Sequence, residues 1–428
     1  MKRSDGFHYD TDFQVGEAFG QVRWADGANH AVVATVAYSN KKFGAYDFYS
    51  GPGKDVPSSE ATTSTLLALS APMTFGEFAI TPKVYYRAHT DRYVYLITNP
   101  SLYINNHKDY TEGGEITGTT HFWENSVLLF GAEGTFDHLN SVGEGAIPSG
   151  LGVHERTRGA AFASVTHTHE TFSFDLGMRV DAYSTFAPQF SPSISAGYVV
   201  SQNVRVYASA GHSFRAPSFT ELFYSDPDNV GGADLKPEAA WSEELGTRIT
   251  AGANWKFGAA LFMRQETNTI DFAQDSAGDA VTHAVNIPSA TVRGAEATID
   301  GEFDGTHSGG LRSLRAGWTV LDATNDLSSK AVPRYTLLRP KQQLTANITY
   351  ALMTNWLKLD LGAVYKLRQT GDGYTLVNAR LSHEFPLQGA STLTLSVEGT
   401  NLTNIIYEEL PGVPTPRRWM FVTATVEM

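Results

Sequence analysis

The sequence has 428 residues, of which 42% are hydrophobic and 18% are charged, and its mean hydropathy is -0.22. It is long enough for a large core or a large barrel. It is too polar for a bundle of membrane-spanning helices, since no stretch approaches the roughly 18 uninterrupted apolar residues that such a helix needs. The formal net charge of -13 argues against a nucleic-acid partner, whose phosphates require a basic surface. The absence of cysteine excludes disulfides and thiolate metal sites.

The N-terminal residues, MKRSDGFHYDTDFQ, include Lys2 and Arg3 but no apolar run behind them. This is not the pattern of a signal peptide. An exported protein would need such a peptide, so we expect the start of the chain to be processed or truncated.

A period-two alternation of apolar and polar residues dominates the sequence and predicts β-strands. It is clearest from Phe172 to Val180, where every second residue is large and apolar and the others are polar or small. The alternation recurs from Leu357 to Ala363 and from Leu393 to Val397. These segments predict an all-β fold, although a soluble β-sandwich would show the same alternation as a membrane barrel.

The lengths of the connections distinguish these two folds, because tight turns and long polar connections alternate along the chain. Tight turns are predicted near 26–27, 75–76, 124–125, 168–170, 201–203, 252–254, 354–355 and 388–389. Long connections are predicted at 47–62, 89–112, 140–155, 214–239, 267–286, 324–338 and 405–416. Short turns at one end and long loops at the other are typical of a transmembrane antiparallel β-barrel of the outer membrane. A sandwich has no reason to keep that asymmetry.

This pattern contains about nineteen strands. The first, near 13–24, and the last, near 418–428, both run from a long-loop end toward a short turn. Two strands that point the same way cannot pair antiparallel, so this set does not close into an ordinary barrel. Because large outer-membrane transporters have 22 strands and a plugged lumen, we expect about three N-terminal strands and whatever preceded them to be missing.

The stretch from Val204 to Gly246 carries several short signatures in a fixed order. They are Ser213-Phe214-Arg215-Ala216-Pro217, Glu221-Leu222-Phe223, Asp234-Leu235-Lys236-Pro237-Glu238 and Glu244-Leu245-Gly246. In order and spacing they resemble a motif of TonB-dependent outer-membrane receptors, in the branch that takes up cobalamin and siderophores. The resemblance implies a barrel of the 22-stranded receptor type.

Further segments resemble the same family in the expected order. They are Ser4-Asp5-Gly6-Phe7, Tyr38-Ser39-Asn40-Lys41-Lys42-Phe43-Gly44-Ala45, Asn286-Ile287, Gly294-Ala295-Glu296, Arg339-Pro340 and Asn401-Leu402-Thr403-Asn404 with Tyr407. We therefore interpret residues 1–428 as one receptor-like barrel domain. The chain departs from the family in two ways: the N-terminal plug domain with its TonB-contacting box has no counterpart, and the last residue is Met428 rather than an aromatic residue.

The candidate ligand-binding residues lie in or beside the predicted long loops. Arg215 faces the lumen if the resemblance holds. There it binds an anionic ligand, holds the plug by a bidentate pair, or forms a salt bridge within the barrel that supports the loop. Exposed aromatic residues at the loops are suited to gripping a bulky ligand, although packing within the loops explains them equally well. These aromatic residues are Tyr103, Phe136, Phe186, Phe223 and Tyr224.

Three aspartates, Asp226, Asp228 and Asp234, are candidate calcium ligands in the connection at 214–239. Their oxygen atoms suit calcium, but their spacing does not match an EF-hand and aspartate is common in turns. The sequence shows no nucleophile elbow, phosphate loop or metalloprotease helix, so we expect neither an enzyme nor a bound cofactor.

The function implied by the resemblance is energy-coupled uptake of a scarce ligand, such as a siderophore–iron complex or cobalamin, in a Gram-negative outer membrane. The expected partners are outer-membrane lipid, the ligand, and the TonB complex, which acts through a plug that this chain does not contain. Three alternatives remain open. They are a passive pore without a plug, a barrel fragment without function, and a soluble β-sheet binding protein.

Overall fold

The computed structural model describes residues 1–50, 53–147, 150–226, 228–274, 281–303, 309–325, 332–333, 339–352, 356–368, 372–389, 391–409 and 413–427. The strands in these residues are β1 Lys2–Ser4, β2 Phe13–Asp26, β3 His30–Gly44, β4 Ser59–Ser70, β5 Met73–Phe75, β6 Phe78–Val94, β7 Ile104–Trp123, β8 Ser126–Glu144, β9 Gly152–His169, β10 Phe172–Tyr183, β11 Gln189–Ser201, β12 Val204–Arg215, β13 Asn229–Val230, β14 Glu238–Ala251, β15 Trp255–Gln274, β16 Thr282–Glu302, β17 Gly310–Asn325, β18 Val332–Pro333, β19 Pro340–Leu352, β20 Leu357–Arg368, β21 Tyr374–Pro386, β22 Thr392–Thr400 and β23 Trp419–Glu427. A short helix, α1, is Phe219–Phe223.

All 23 strands belong to one sheet, and each long strand pairs antiparallel with the next long strand along the chain. The two-residue β13 is different, because it pairs parallel with β16. Among the described residues, nineteen strands have nine or more residues, which agrees with the predicted number, whereas β1, β5, β13 and β18 have two or three. The all-β antiparallel fold class predicted from the alternation is confirmed.

The tight turns use residues that tolerate a left-handed backbone. Asn125 has a φ of 59° in the turn between β7 and β8, and Gly252 has a φ of 61° between β14 and β15. Asparagine and glycine adopt this conformation at low cost, so they permit turns of two or three residues between paired strands.

The sheet has one apolar face and one polar face. On β10, Leu176 and Met178 lie on the first face with 47% and 53% of their surface exposed. Arg179 and Asp181 lie on the opposite face of the same strand, as the period of two requires. The ladders carry this division from strand to strand, because directly paired residues share a face. We call the two sides the apolar face and the polar face.

The strands are longer, and several loops shorter, than the sequence predicts. Instead of a loop at 89–112, β6 continues to Val94 and β7 begins at Ile104. In the same way, β8 continues to Glu144 and β9 begins at Gly152, and β15 continues to Gln274 and β16 begins at Thr282. The strand ends carry polar residues on both faces, which removes the alternation, but their backbones still pair in ladders.

The first and last of the long strands, β2 and β23, pair with different strands. β23 pairs with β22, and β2 pairs with β3 and with the short β1 through Lys2 opposite Val15. Within the strand residues that the structure describes, no ladder joins β23 to the β1–β2 edge. The predicted turn at 354–355 and Met428 lie outside the described residues.

Among the described residues, no helix is both long enough and apolar enough to cross a membrane.

Candidate functional site

The connection between β12 and β14 is the longest in the chain and lies at the long-loop end of the sheet. We call its described residues, 216–226 and 228–237, the rim loop. The loop contains α1, which begins with a capping box: Ser218 accepts a hydrogen bond from the Glu221 amide, and Glu221 accepts one from the Ser218 amide. This reciprocal pair satisfies two amides that a helix start leaves unpaired, so a helix of one turn forms here.

Arg215 closes the base of the rim loop. Its Nε donates to Glu238 at 2.6 Å, and its two terminal nitrogens donate to both carboxylate oxygens of Glu221 at 2.9 and 2.8 Å. Burial alone would raise the pKa of Glu221, but the bonds from Arg215 and Ser218 outweigh burial and lower it. The Glu221 carboxylate therefore stays charged, and Arg215 is paired with both Glu221 and Glu238. Arg215 forms a salt bridge that supports the loop, which is one of the three roles that the sequence left open.

The rim loop is also held from β9, across the intervening strands. The Arg156 guanidinium donates to the Pro217 carbonyl oxygen at 2.8 Å and lies 4.7 Å from the centre of the Phe219 ring. The His154 ring stacks on Phe223 with centroids 3.6 Å apart and planes 4° apart. Nothing in the sequence indicated His154 or Arg156, because the contacts join residues about 60 positions apart.

Two of the predicted aromatic residues meet at the rim. The hydroxyl groups of Tyr103 and Tyr224 are 2.8 Å apart, and the Asn105 side chain donates to Tyr103 at 2.7 Å. Tyr93 and Tyr95 make edge contacts with the Tyr103 ring at 6.2 and 6.0 Å. Burial raises the pKa of both Tyr103 and Tyr224, so both hydroxyls stay protonated at physiological pH. The rim loop is thereby tied to β7 as well as to β9.

Asn286 of β16 fixes the last part of the rim loop. Its Oδ1 accepts from the Lys236 amide at 2.8 Å, and its Nδ2 donates to the carbonyl oxygens of Lys236 and Asn268 at 3.0 and 2.7 Å. The sequence singled out Asn286 through its resemblance to the family motif. The structure supplies the physical role of this residue, which is to dock the Asp234-to-Glu238 signature onto the sheet.

Replacement of Asn286 by alanine is expected to free this part of the rim loop. It removes three hydrogen bonds, which together contribute about 2 kcal/mol to local stability. Hydrogen exchange of the Lys236 amide should therefore become faster by roughly one order of magnitude or more. Asn286→Asp is the control, since it keeps the acceptor for Lys236 and should protect that amide better than alanine does. Equal exchange in wild type and Asn286→Ala would contradict the assigned role.

The other two predicted aromatic residues lie elsewhere. Phe186, between β10 and β11, stacks on Tyr183 with centroids 4.4 Å apart, so it packs against the end of β10. Phe136 is a ladder residue of β8 on the apolar face, where it neighbours Tyr110. Its position has the opposite parity to Glu133, which lies on the polar face. We therefore remove Phe136 from the candidate site.

The three aspartates do not assemble into a metal site. Asp226 Oδ1 accepts from the amides of Asp228 and Asn229, at 2.8 and 2.5 Å, and so serves as a turn acceptor. Asp228 instead forms an ion pair with Lys54 at 3.5 Å, and Asp234 is exposed. Among the residues that the structure describes, no group of three or more His, Cys, Asp or Glu side chains could hold a metal ion. The calcium hypothesis is therefore not supported.

Below the rim, the polar face carries a paired charge network that the sequence did not indicate. Arg179 donates to Asp181 at 2.8 Å and to Glu133 at 2.9 Å, and Arg158 also donates to Glu133. Tyr85 reaches Glu133 at 3.4 Å. Side chains from β6, β8, β9 and β10 thus form one connected network, as expected where partly buried charges must be paired.

The chain matches the family described as TonB dependent receptor-like, beta-barrel, over residues 2–402. A similar curated protein is the vitamin B12 transporter BtuB of Photobacterium profundum, which is 24% identical over 335 residues, or 75% of this chain and 48% of that protein. The chain spans about half, or less, of the length of the curated relatives it matches.

Solved structures share the fold. The siderophore receptor PirA from Pseudomonas aeruginosa has a TM-score of 0.72 and 17% identity, and the alignment covers 97% of this chain and 71% of that one. The FrpB iron transporter from Neisseria meningitidis has a TM-score of 0.74 and 14% identity, covering 97% of this chain and 72% of that one. The antiparallel sheet agrees with the family match, which covers residues 2–402. The chain therefore belongs to the TonB-dependent receptor-like β-barrel family.

Proposed function

We propose that this chain is the barrel of an outer-membrane receptor that takes up a scarce ligand, such as a siderophore–iron complex or cobalamin, in an energy-coupled step. The family match over residues 2–402 carries this proposal. The curated relative named as a vitamin B12 transporter supports the corrinoid alternative, and solved neighbours named as siderophore and iron receptors support the iron alternative.

In this proposal the apolar face contacts membrane lipid and the polar face lines the lumen. A lipid-facing surface must be apolar, whereas a lumen accepts charged side chains. The network around Glu133 and Arg179 then lies on the lumen wall. We assign the TonB contact and the plug to sequence outside these 428 residues, and we assign no catalytic step to the chain.

The ligand surface in this proposal is the rim loop with the aromatic residues around it. Phe223 is held there by His154 of β9, and Tyr224 is held by Tyr103, which in turn accepts a hydrogen bond from Asn105 of β7. Fixed aromatic rings bind a bulky ligand without losing much side-chain freedom. Arg215 has a supporting role, because its guanidinium is already paired with Glu221 and Glu238.

Uptake assays with the whole gene test the proposal. Deletion of the gene is expected to abolish uptake of radiolabelled cyanocobalamin or of one ferric siderophore, and deletion of TonB should cause the same loss. Full-length protein in a planar bilayer should be nearly silent, because a plugged barrel blocks ion flow. A large steady conductance together with uptake that does not need TonB would contradict the proposal and favour a passive pore.

A further inference from the structure

A short row of charged side chains interrupts the apolar face between β14 and β17. The ladders pair Glu243 with Met263, Met263 with Arg293, and Arg293 with Asp322. These four residues therefore lie side by side on one face. Leu245, two residues along β14 on the same face, is 59% exposed and apolar, so the charges stand within an apolar surface. We call Glu243, Arg293 and Asp322 the charged strip.

The charged strip has no partner within the part of the chain that the structure describes. All three side chains are exposed, and none makes a hydrogen bond or ion pair with a described residue. Arginines of the polar face, such as Arg179 and Arg215, are in contrast fully engaged with carboxylates. An arginine on the lipid face of a barrel whose charge is not neutralised by an ion pair destabilises it, most at the bilayer midplane and less toward the interface. A partner for Arg293 from outside the chain would remove that cost.

We propose that the charged strip is the centre of a lateral interface between two copies of this chain in the membrane. The inference rests on the proposed membrane location. The strip is self-complementary, because it carries a cation with an acid on either side. A two-fold interface presents the same patch from both copies, so such a patch can satisfy its own charges. The Arg293 guanidinium of one copy is paired with a carboxylate of the strip in the other.

The position of the strip fits contact between two convex barrels. A two-fold axis along the membrane normal through Met263 brings Glu243 of each copy toward Arg293 of the other and places the two methionines together. Convex surfaces touch over only a few strands, and this contact needs only β14, β15 and β16. Methionine adapts its shape to a facing surface, which suits it to the centre of such a contact.

The surface beside the strip also permits close approach. Ala210 of β12 pairs directly with Glu243. Together with Ala163, it lines a shallow apolar groove that Trp241 borders. Small side chains at this point leave room for the flank of the second copy. The groove and the strip thus form one continuous surface with an apolar part and a charged part, as protein interfaces generally do.

Cysteine crosslinking of the full-length protein in isolated outer membranes tests the interface. The present chain contains no cysteine, so a single Met263→Cys substitution introduces one reactive site in it. Met263→Cys is expected to form a disulfide-linked dimer on mild oxidation. Leu361→Cys is the matched control, since Leu361 is a 40% exposed residue of the apolar face on β20, far along the sheet from β15. This control should remain monomeric.

Charge reversal separates the proposed interface from chance collisions and from binding of a lipid headgroup. In the Met263→Cys background, Arg293→Glu should abolish the dimer, and adding Glu243→Arg and Asp322→Arg should restore it. A monomer in Met263→Cys, or a dimer that Arg293→Glu does not affect, would overturn the interface even if uptake is normal. Absence of the protein from the outer membrane would overturn both the location and the interface, whereas loss of uptake alone leaves this test unaffected.

Discussion

Replacement of Gly294 by alanine is expected to cause the largest loss of stability among the substitutions considered. A Cβ added there would lie 2.2 Å from the Phe262 ring and 2.6 Å from the backbone oxygen of Val320. The ring can turn aside, but the Val320 oxygen belongs to the neighbouring strand β17 and cannot move without disturbing the ladder. Overpacking of this kind typically costs about 1–3 kcal/mol, and a fixed backbone places the expected loss near the upper end.

Urea unfolding of the full-length protein in detergent, followed by tryptophan fluorescence, measures this loss. Gly159→Ala is the matched control, because nothing lies within 4 Å of a Cβ added at Gly159. The midpoint for Gly294→Ala should fall well below that of wild type, and the midpoint for the control should stay close to it. If the midpoints for Gly294→Ala and Gly159→Ala are equally close to that of wild type, the contact between Phe262 and Gly294 does not limit packing.

Gly246→Ala should cost less than Gly294→Ala, because the atoms closest to Gly246 belong to a side chain. A Cβ added there would meet three atoms of the Tyr207 side chain, the nearest at 2.4 Å, with no backbone atom among the three closest. The Tyr207 side chain can move to relieve this contact. The double variant Tyr207→Ala and Gly246→Ala should show no further penalty from the clash. An additive loss in the double variant would contradict a steric origin.

Replacement of Arg215 by alanine is expected to loosen the rim loop without unfolding the sheet. The change leaves Glu221 and Glu238 close together without their shared cation. Hydrogen bonds to charged groups contribute about 1.5–3 kcal/mol. Because the Arg215 side chain is 46% exposed, solvent screens part of the interaction and we expect about 1.5 kcal/mol. Hydrogen exchange across the rim loop should accelerate, while exchange in β10 and β11 should not change.

Arg315 provides the control for this prediction. It pairs with Glu302 at 3.1 Å, but both side chains are mostly exposed, at 60% and 70%. Exposed pairs contribute about 0–1 kcal/mol, so Arg315→Ala should have little effect. If Arg215 acts only by supporting the loop, Glu221→Gln should reduce ligand uptake as Arg215→Ala does. A loss of uptake in Arg215→Ala with normal exchange in the rim loop would instead show direct contact with the ligand.

The sequence was sufficient for the fold class and the family because both depend on local patterns. A period of two places alternate residues on opposite faces of a strand wherever the strand lies in the fold. The segment from Phe172 to Val180 could therefore be predicted as a strand from its sequence alone. The motif residues Gly246 and Gly294 also have local signatures, although the reason for them is a ring on the neighbouring strand. Phe136 lies between the predicted turn at 124–125 and the predicted connection at 140–155, so parity along that strand would also have placed it on the apolar face.

The contacts at the rim were decided only by the tertiary structure. Arg156 meets Pro217, and Tyr103 meets Tyr224, across separations of 61 and 121 residues. No local pattern encodes such a pair, because the contact depends on how many strands separate the two residues and how each ladder is registered. The same reason separates the two kinds of arginine. Arg215 is bonded both to Glu238, which lies opposite it on the next strand, and to Glu221 of the rim loop. Arg293 also has an acid opposite it, Asp322, but remains exposed and forms no ion pair with a described residue.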